Sequence, residues 1–332
     1  MLKIKIKIKN IFKKQYNYYL LIIIILIMLK KTLDSIKYKN SIYHEENQYL
    51  NLIEDIMEEN SEFIGRNGKT LAVFGSSMHF SLENNSIPLL TTKKLAYKTC
   101  LKELLWFIKG STNNQTLINQ NVHIWDGNGS REFLNSRGLY DNMENDLGPI
   151  YGFQWRHFNA NYNDCNTDYS NKGIDQLKYI IKELKNPETR NSRRLILSAW
   201  NPCQLHLMAL PPCHVMCQFN VTNNNKLSCS MYQRSGDVGL GVPFNIASYS
   251  YLTHLIAHHC DLECCEFIYN LGNAHIYNDH IDGLNVQKNR LPYKFPTIEI
   301  LNKYDNIEDY KLEDFLIKDY NYHEQIKLIM SE

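Results

Sequence analysis

The run Met208-Ala209-Leu210-Pro211-Pro212-Cys213-His214 sets a cysteine behind two prolines and ahead of a histidine. Further on, Tyr232-Gln233-Arg234-Ser235-Gly236-Asp237 supplies a cation, a hydroxyl and a carboxylate. A thiol is a useful nucleophile only as its thiolate, and an arginine brought alongside by a neighbouring strand favours that form without titrating itself. Two prolines fix two φ angles and remove two N–H donors, so the backbone presenting Cys213 is stiffened before any tertiary contact forms. Taken alone, the heptapeptide reads more simply as a buried structural cysteine after a proline turn. Other residues add chemistry. Glu103 stands in an otherwise apolar helical segment, where burial raises a carboxyl pKa and lets it exchange protons near neutrality. Asn245 carries an amide with both a donor and an acceptor. His275 and Tyr277 alternate along a strand and therefore face the same side.

The elements that must position these residues follow from periodicity. His44–Phe63 has helical spacing of Tyr49, Leu50, Ile53, Ile56 and Met57, with acids on the other face. Gly65–Leu82 predicts a turn at Arg66–Lys69, a strand over Leu71–Phe74, then Gly75 and a strand over His79–Leu82. Helices are expected over Thr99–Ile108, stopped by Gly110, over Ile174–Leu184, closed by Asn186-Pro187, and over Ile246–His259. Strands are expected over Arg194–Trp200, Val215–Val221 and Lys226–Gln233, the last two joined by a turn at Asn223–Asn225. Short strands over Phe267–Leu271 and Thr297–Leu301 complete the set. Adjacent strands joined by hairpins rather than helices predict one α/β (α+β) domain. Its core is a large mixed, mostly antiparallel sheet covered by helices.

The chain has 332 residues and a formal net charge of +1, which gives no electrostatic reason to expect duplex DNA or an acidic membrane surface as the main partner. Nine cysteines without disulfide-framework spacing suit a reducing compartment and a cytoplasmic location, with nuclear or mitochondrial pools compatible. Residues 1–43 differ in kind and are expected to be a poorly ordered, basic and apolar extension, with the catalytic domain over 44–332. A helix over Tyr18–Leu29 would rise only about 18 Å, short of the roughly 30 Å hydrocarbon core, so no stable membrane insertion is expected. Met28 closes that run, and residues 1 to about 27 are expected to be dispensable.

The ordered motifs Pro88-Leu89-Leu90-Thr91-Thr92-Lys93, Glu103-Leu104-Leu105-Trp106-Phe107, Ile124-Trp125-Asp126, Leu147-Gly148-Pro149-Ile150-Tyr151-Gly152, Gln154-Trp155-Arg156, Arg193-Arg194, the Cys213 heptapeptide, the Gln233–Tyr249 block and His275-Ile276-Tyr277 resemble the thymidylate synthase family from about Gly65 onward. The resemblance implies reductive methylation of dUMP to dTMP, with 5,10-methylenetetrahydrofolate as one-carbon and hydride donor, dihydrofolate as product and no metal. It implies that Cys213 adds to carbon 6 of uracil and that Arg234 lies against the sulfur while binding phosphate. Arg66, Arg193, Arg194 and Ser235 are the other implied phosphate ligands, with Gln233, Gly236 and Asp237 also at the nucleotide. Arg193 and Arg194 are implied to reach into the partner subunit of a homodimer. Asn245 would read uracil, where an aspartate would suit cytosine. His275 and Tyr277 would hold the sugar hydroxyl. Glu103, with His214 and Tyr151, would handle protons at the base. Asp237 would accept from the pterin of the folate, walled by Ile124, Trp125, Asn128, Leu240, Gly241 and Phe244, with Met330 from the tail.

Departures from the family pattern are a short turn after Arg66, His79 where arginine is common, Ala96 where a larger residue is usual, and the terminal acid Glu332. The stretch before Gly65 is too short for a fused dihydrofolate reductase, so a separate reductase is expected to recycle the product. Three rival readings remain open to test. His254, His258, His259, Cys260, Cys264 and Cys265 could hold zinc, although their spacing is helical and then a doublet rather than paired. A cysteine hydrolase built on Cys213 leaves the arginines without a role. RNA binding by the basic N terminus is compatible with catalysis.

Overall fold

The computed structural model describes residues 44–65, 68–222 and 225–329. The extension of residues 1–43, together with Arg66 and Met330, lies outside the described residues. From Gln48 onward the chain forms one compact unit. No described helix is long and apolar enough to cross a membrane.

Six strands make a mixed sheet in the order β1-β2-β6-β5-β4-β3, where β1 is Glu62–Gly65, β2 Gly68–Ser81, β3 Ile196–Ser198, β4 His214–Val221, β5 Lys226–Asp237 and β6 Glu263–Tyr277. A second, two-stranded sheet pairs β7 (Thr297–Ile300) with β8 (Phe315–Lys318). The principal helices are α1 (Asn47–Glu59), α2 (Tyr97–Ile108), α3 (Tyr151–His157), α4 (Gln176–Lys185), α5 (Gly241–His259) and α6 (Ile281–Lys288).

Helix α5 is apolar nearly all round and buried along almost its whole length, the signature of a core helix rather than an amphipathic surface one. It lies on the inner faces of β5 and β6, with α2 packed on it and α3 packed on α2. Helix α4 starts where the Asp175 side chain accepts from the Lys178 N–H, and it ends in Lys182 and Lys185, cations that suit the negative end of the helix dipole.

Several strands depart from their sequence-based bounds. Helix α1 ends at Glu59, and the chain that follows is already strand β1. Strand β2 does not break at Gly75, since its register with β6 runs straight from Phe74↔Asn273 to Ser76↔Leu271. Strand β6, expected over Phe267–Leu271, extends over Glu263–Tyr277 because its polar positions alternate outward rather than ending the strand. Asn270, one of them, accepts from Ser77 Oγ at 3.1 Å and donates to Ser230 Oγ at 3.1 Å, tying three strands together. Strand β3 is only Ile196–Ser198, shorter than the Arg194–Trp200 expectation. The β5–β6 pair is parallel, joined through α5, so the expectation that adjacent strands are all joined by hairpins is corrected. Between β4 and β5 the hairpin holds, with the Thr222 N–H donating to the Lys226 carbonyl at 3.0 Å.

Candidate active site

Cys213 is half-buried at the point where the diproline segment enters β4. Prolines have no N–H but keep their carbonyls, and Arg234 on β5 uses them: Nε donates to Pro212 at 2.9 Å and Nη2 to Pro211 at 2.9 Å. The same Nη2 stands 3.7 Å from Cys213 Sγ, and the Arg234 backbone N–H donates to the Cys213 carbonyl at 3.0 Å. One arginine therefore clamps the cysteine's backbone and sets a fixed positive charge beside its sulfur. The guanidinium carbon is also 5.8 Å from the centre of the Trp200 ring.

The Cys213 N–H donates to the Tyr151 hydroxyl at 2.7 Å. Tyr151 opens α3 with φ at 24°, a conformation that non-glycine residues rarely adopt and that is held here by burial on every side. Burial pushes its hydroxyl pKa well above the usual phenol range. Its ring lies 4.8 Å from His214 and 5.9 Å from Trp125. His214 is buried, and desolvation lowers its pKa to about 3, so it is neutral. Its Nε2 accepts from Asn245 Nδ2 at 2.8 Å, which leaves the ring proton on Nδ1. Trp125 Nε1 donates to Glu103 Oε1 at 2.7 Å, and burial raises the Glu103 pKa to about 7 despite that bond. Glu103, Trp125, Tyr151, His214 and Asn245 thus form one seam beside the cysteine, hydrogen-bonded at its Glu103–Trp125 and His214–Asn245 ends and joined between them by ring contacts of Tyr151.

The strand residues expected at the nucleotide lie together on β5 and β6. Gln233 is buried and its amide is spent inside the protein, donating to the Ser235 carbonyl at 2.8 Å and accepting from the Tyr269 hydroxyl at 2.7 Å. It stiffens the Arg234–Ser235 segment rather than presenting its own amide. Gly236 is buried opposite Ala274, and Asp237 pairs with His275 across the parallel ladder. The His275 and Tyr277 rings are 5.3 Å apart and perpendicular on one side of β6. Ile124 on the loop before a short helical turn, Asn128 within that turn, and Leu240, Gly241 and Phe244 at the start of α5 are all half-buried.

Arg193 and Arg194 are exposed just before the edge strand β3, and no hydrogen bond or ion pair among the described residues ties their side chains to the Cys213 group. The histidines and cysteines from His254 to Cys265 do not converge either. His254 Nε2 bonds the Ser86 carbonyl at 2.9 Å and His258 Nε2 the Asn302 carbonyl at 2.9 Å, and no metal-holding group of three is found among the described residues.

Two residues were not singled out from sequence. Lys93 is buried with its ammonium on the Gly239 carbonyl, and desolvation lowers its pKa to about 8 although Asp237 pulls the other way. His280 lies beside Asp237. Lys93 had a signal, a lysine closing an otherwise uncharged motif, whereas a lone histidine after a strand has none.

The chain matches the family model described as "Thymidylate synthase" over residues 47–332. It is 54% identical over 302 residues to a bifunctional dihydrofolate reductase-thymidylate synthase of Plasmodium berghei, covering 91% of this chain and 50% of that protein. It is 53% identical over 290 residues to the thymidylate synthase of Homo sapiens, covering 87% of this chain and 91% of that protein. A probable thymidylate synthase of Schizosaccharomyces pombe is 52% identical over 311 residues, covering 90% of this chain and 48% of that protein. The chain thus spans about half the length of several curated relatives it matches, and nearly all of the human one. With an arginine-clamped cysteine at its centre and this likeness along most of its length, the chain belongs to the thymidylate synthase family.

Proposed function

We propose that this chain converts dUMP to dTMP, with 5,10-methylenetetrahydrofolate supplying both the one-carbon unit and the hydride and leaving as dihydrofolate. The observation that carries this reading is the 3.7 Å approach of Arg234 to Cys213 Sγ, beside the Glu103–Asn245 seam. Carbon 5 of uracil is a poor nucleophile. Addition of the Cys213 thiolate at carbon 6 turns the ring into an enolate whose carbon 5 attacks the one-carbon unit of the folate. Carbon 5 then gives up its proton to a base and tetrahydrofolate leaves, giving an exocyclic methylene. Hydride transfer from tetrahydrofolate makes this the methyl group, expels the thiolate and yields dihydrofolate. Arg234 favours the thiolate and holds the cysteine's backbone still. Asn245, anchored by His214, reads the carbonyl and N–H edge of uracil. Glu103 exchanges protons at the base, its raised pKa matched to neutral pH.

A homodimer is part of the proposal. The outer face of the sheet carries Ile196 on β3 and Tyr232 on β5, each 41% exposed, with part-buried Met216 on β4 between them and part-buried Ile268 on β6 at the other side of β5. A second copy would cover that face and bring its Arg193 and Arg194 to this chain's phosphate. The decisive experiment mixes the purified protein with dUMP and methylenetetrahydrofolate and follows dihydrofolate absorbance. Absorbance that does not rise would overturn the reading.

A further inference from the structure

His280 has no part in the chemistry just outlined, yet its ring is fully buried between the end of β5 and the C-terminal tail. On one side its Nδ1 lies 3.5 Å from Asp237 Oδ1, and on the other its Nε2 lies 2.6 Å from the Ile329 carbonyl. Two glycines make room for this contact. A Cβ on Gly239 would come within 2.4 Å of His280 Nδ1, and one on Gly283 within 2.8 Å of both Ile326 and Leu328 in the tail. The Gly239 N–H donates to Asp237 Oδ1 at 2.8 Å, and Lys93 caps the Gly239 carbonyl. Tail, His280, Asp237 and Lys93 are therefore one connected chain of polar contacts.

Both neighbours of the ring can only accept. A carbonyl faces Nε2 and a carboxylate faces Nδ1, so the imidazolium, with a proton on each nitrogen, suits the pocket where a neutral ring would turn a lone pair on one of them. Burial alone would lower the ring's pKa, but Asp237, the Ile329 carbonyl and nearby Asp279 together outweigh it and raise it. His275 and Tyr277 face the ring from β6, the latter with centroids 5.6 Å apart.

We propose that His280 is a positioning residue that clasps the tail backbone to Asp237, so that docking of the tail and the grip of Asp237 on the folate are a single linked event. The proposal rests on the folate reading above for its consequence, although the clasp itself does not. The test uses His280→Phe, which keeps a ring but removes both donors, and Gly239→Ala, which displaces the ring without altering its chemistry. Amide hydrogen exchange of residues 326–329 is measured in the ligand-free protein, and steady-state kinetics in parallel. Both variants are expected to speed tail exchange and to raise KM for methylenetetrahydrofolate roughly ten- to hundredfold, the loss of a charge-assisted hydrogen bond, with kcat within about threefold. Faster tail exchange with an unchanged folate KM would overturn the linkage, and unchanged tail exchange would overturn the clasp. A wild-type protein that forms no dihydrofolate would defeat the functional reading instead, while tail exchange would still report on His280.

Discussion

The two ends of helix α5 carry the same kinds of side chain to opposite effect. At its N-terminal end, Asn245 meets His214 next to Cys213; at its C-terminal end, His254, His258 and His259 run into Cys260 and Cys264. The C-terminal end has more histidines and cysteines, yet its imidazoles are spent one by one: His254 and His258 on the Ser86 and Asn302 carbonyls, and His259 on Lys185 and the Tyr310 hydroxyl. The N-terminal end has fewer, but a guanidinium stands at its sulfur and a tyrosine with a strained backbone beneath it. What sets the Cys213 end apart is a fixed charge beside a half-buried thiol, not the density of ligating residues.

The comparison breaks most sharply at the two cysteines. Cys213→Ala should cost at least about a thousandfold in dTMP formation, as loss of a covalent nucleophile does, whereas Cys264→Ala at the other end should leave turnover within about twofold. Dihydrofolate release by each variant checks both arms, and a Cys213→Ala enzyme that retains activity would remove the nucleophile from the scheme.

Next in size is Glu103→Gln, expected to lower kcat about a hundredfold and to erase the limb of the pH–rate profile near pH 7 that the raised carboxyl produces. A profile unchanged in shape would assign that limb to another group.

The smallest effect belongs to the structural end. Burial lowers the His254 pKa to about 4, while in the unfolded chain it is near 6.5. Above pH 6.5 both states are neutral at this site. As pH falls from 6.5 towards 4 the unfolded chain takes up a proton that the native one refuses, so stability drops by about 1.4 kcal/mol per pH unit. His254→Phe should flatten that part of a melting-temperature curve against pH without moving kcat.

Much of the N-terminal end was legible from sequence, because a cysteine after two prolines, an arginine block and an asparagine after a proline are local patterns with local meaning. The expected helices over Thr99–Ile108 and Ile246–His259 lie inside the observed α2 and α5, since a long apolar period survives without tertiary help. What escaped was non-local. The parallel β5–β6 pairing and the full length of β6, which joins the expected Phe267–Leu271 strand to the strand carrying His275 and Tyr277, depend on which strand lies beside which. His280 and Lys93 were missed for the same reason, as each takes its meaning from Asp237, which is distant in sequence from both and ends β5, whereas His280 lies in the turn after β6. Gln233 was assigned to the nucleotide, and only its two internal partners reveal a supporting part.

Strand β6 lies between β2 and β5, although it leaves the ribosome after both. Until residue 277 has emerged, a nascent chain holds two long strands whose shared neighbour does not yet exist, each with a row of open amides and carbonyls. Assembly of the sheet must then wait for nearly the whole polypeptide, and in the interval those edges are the surfaces a chaperone would have to shield.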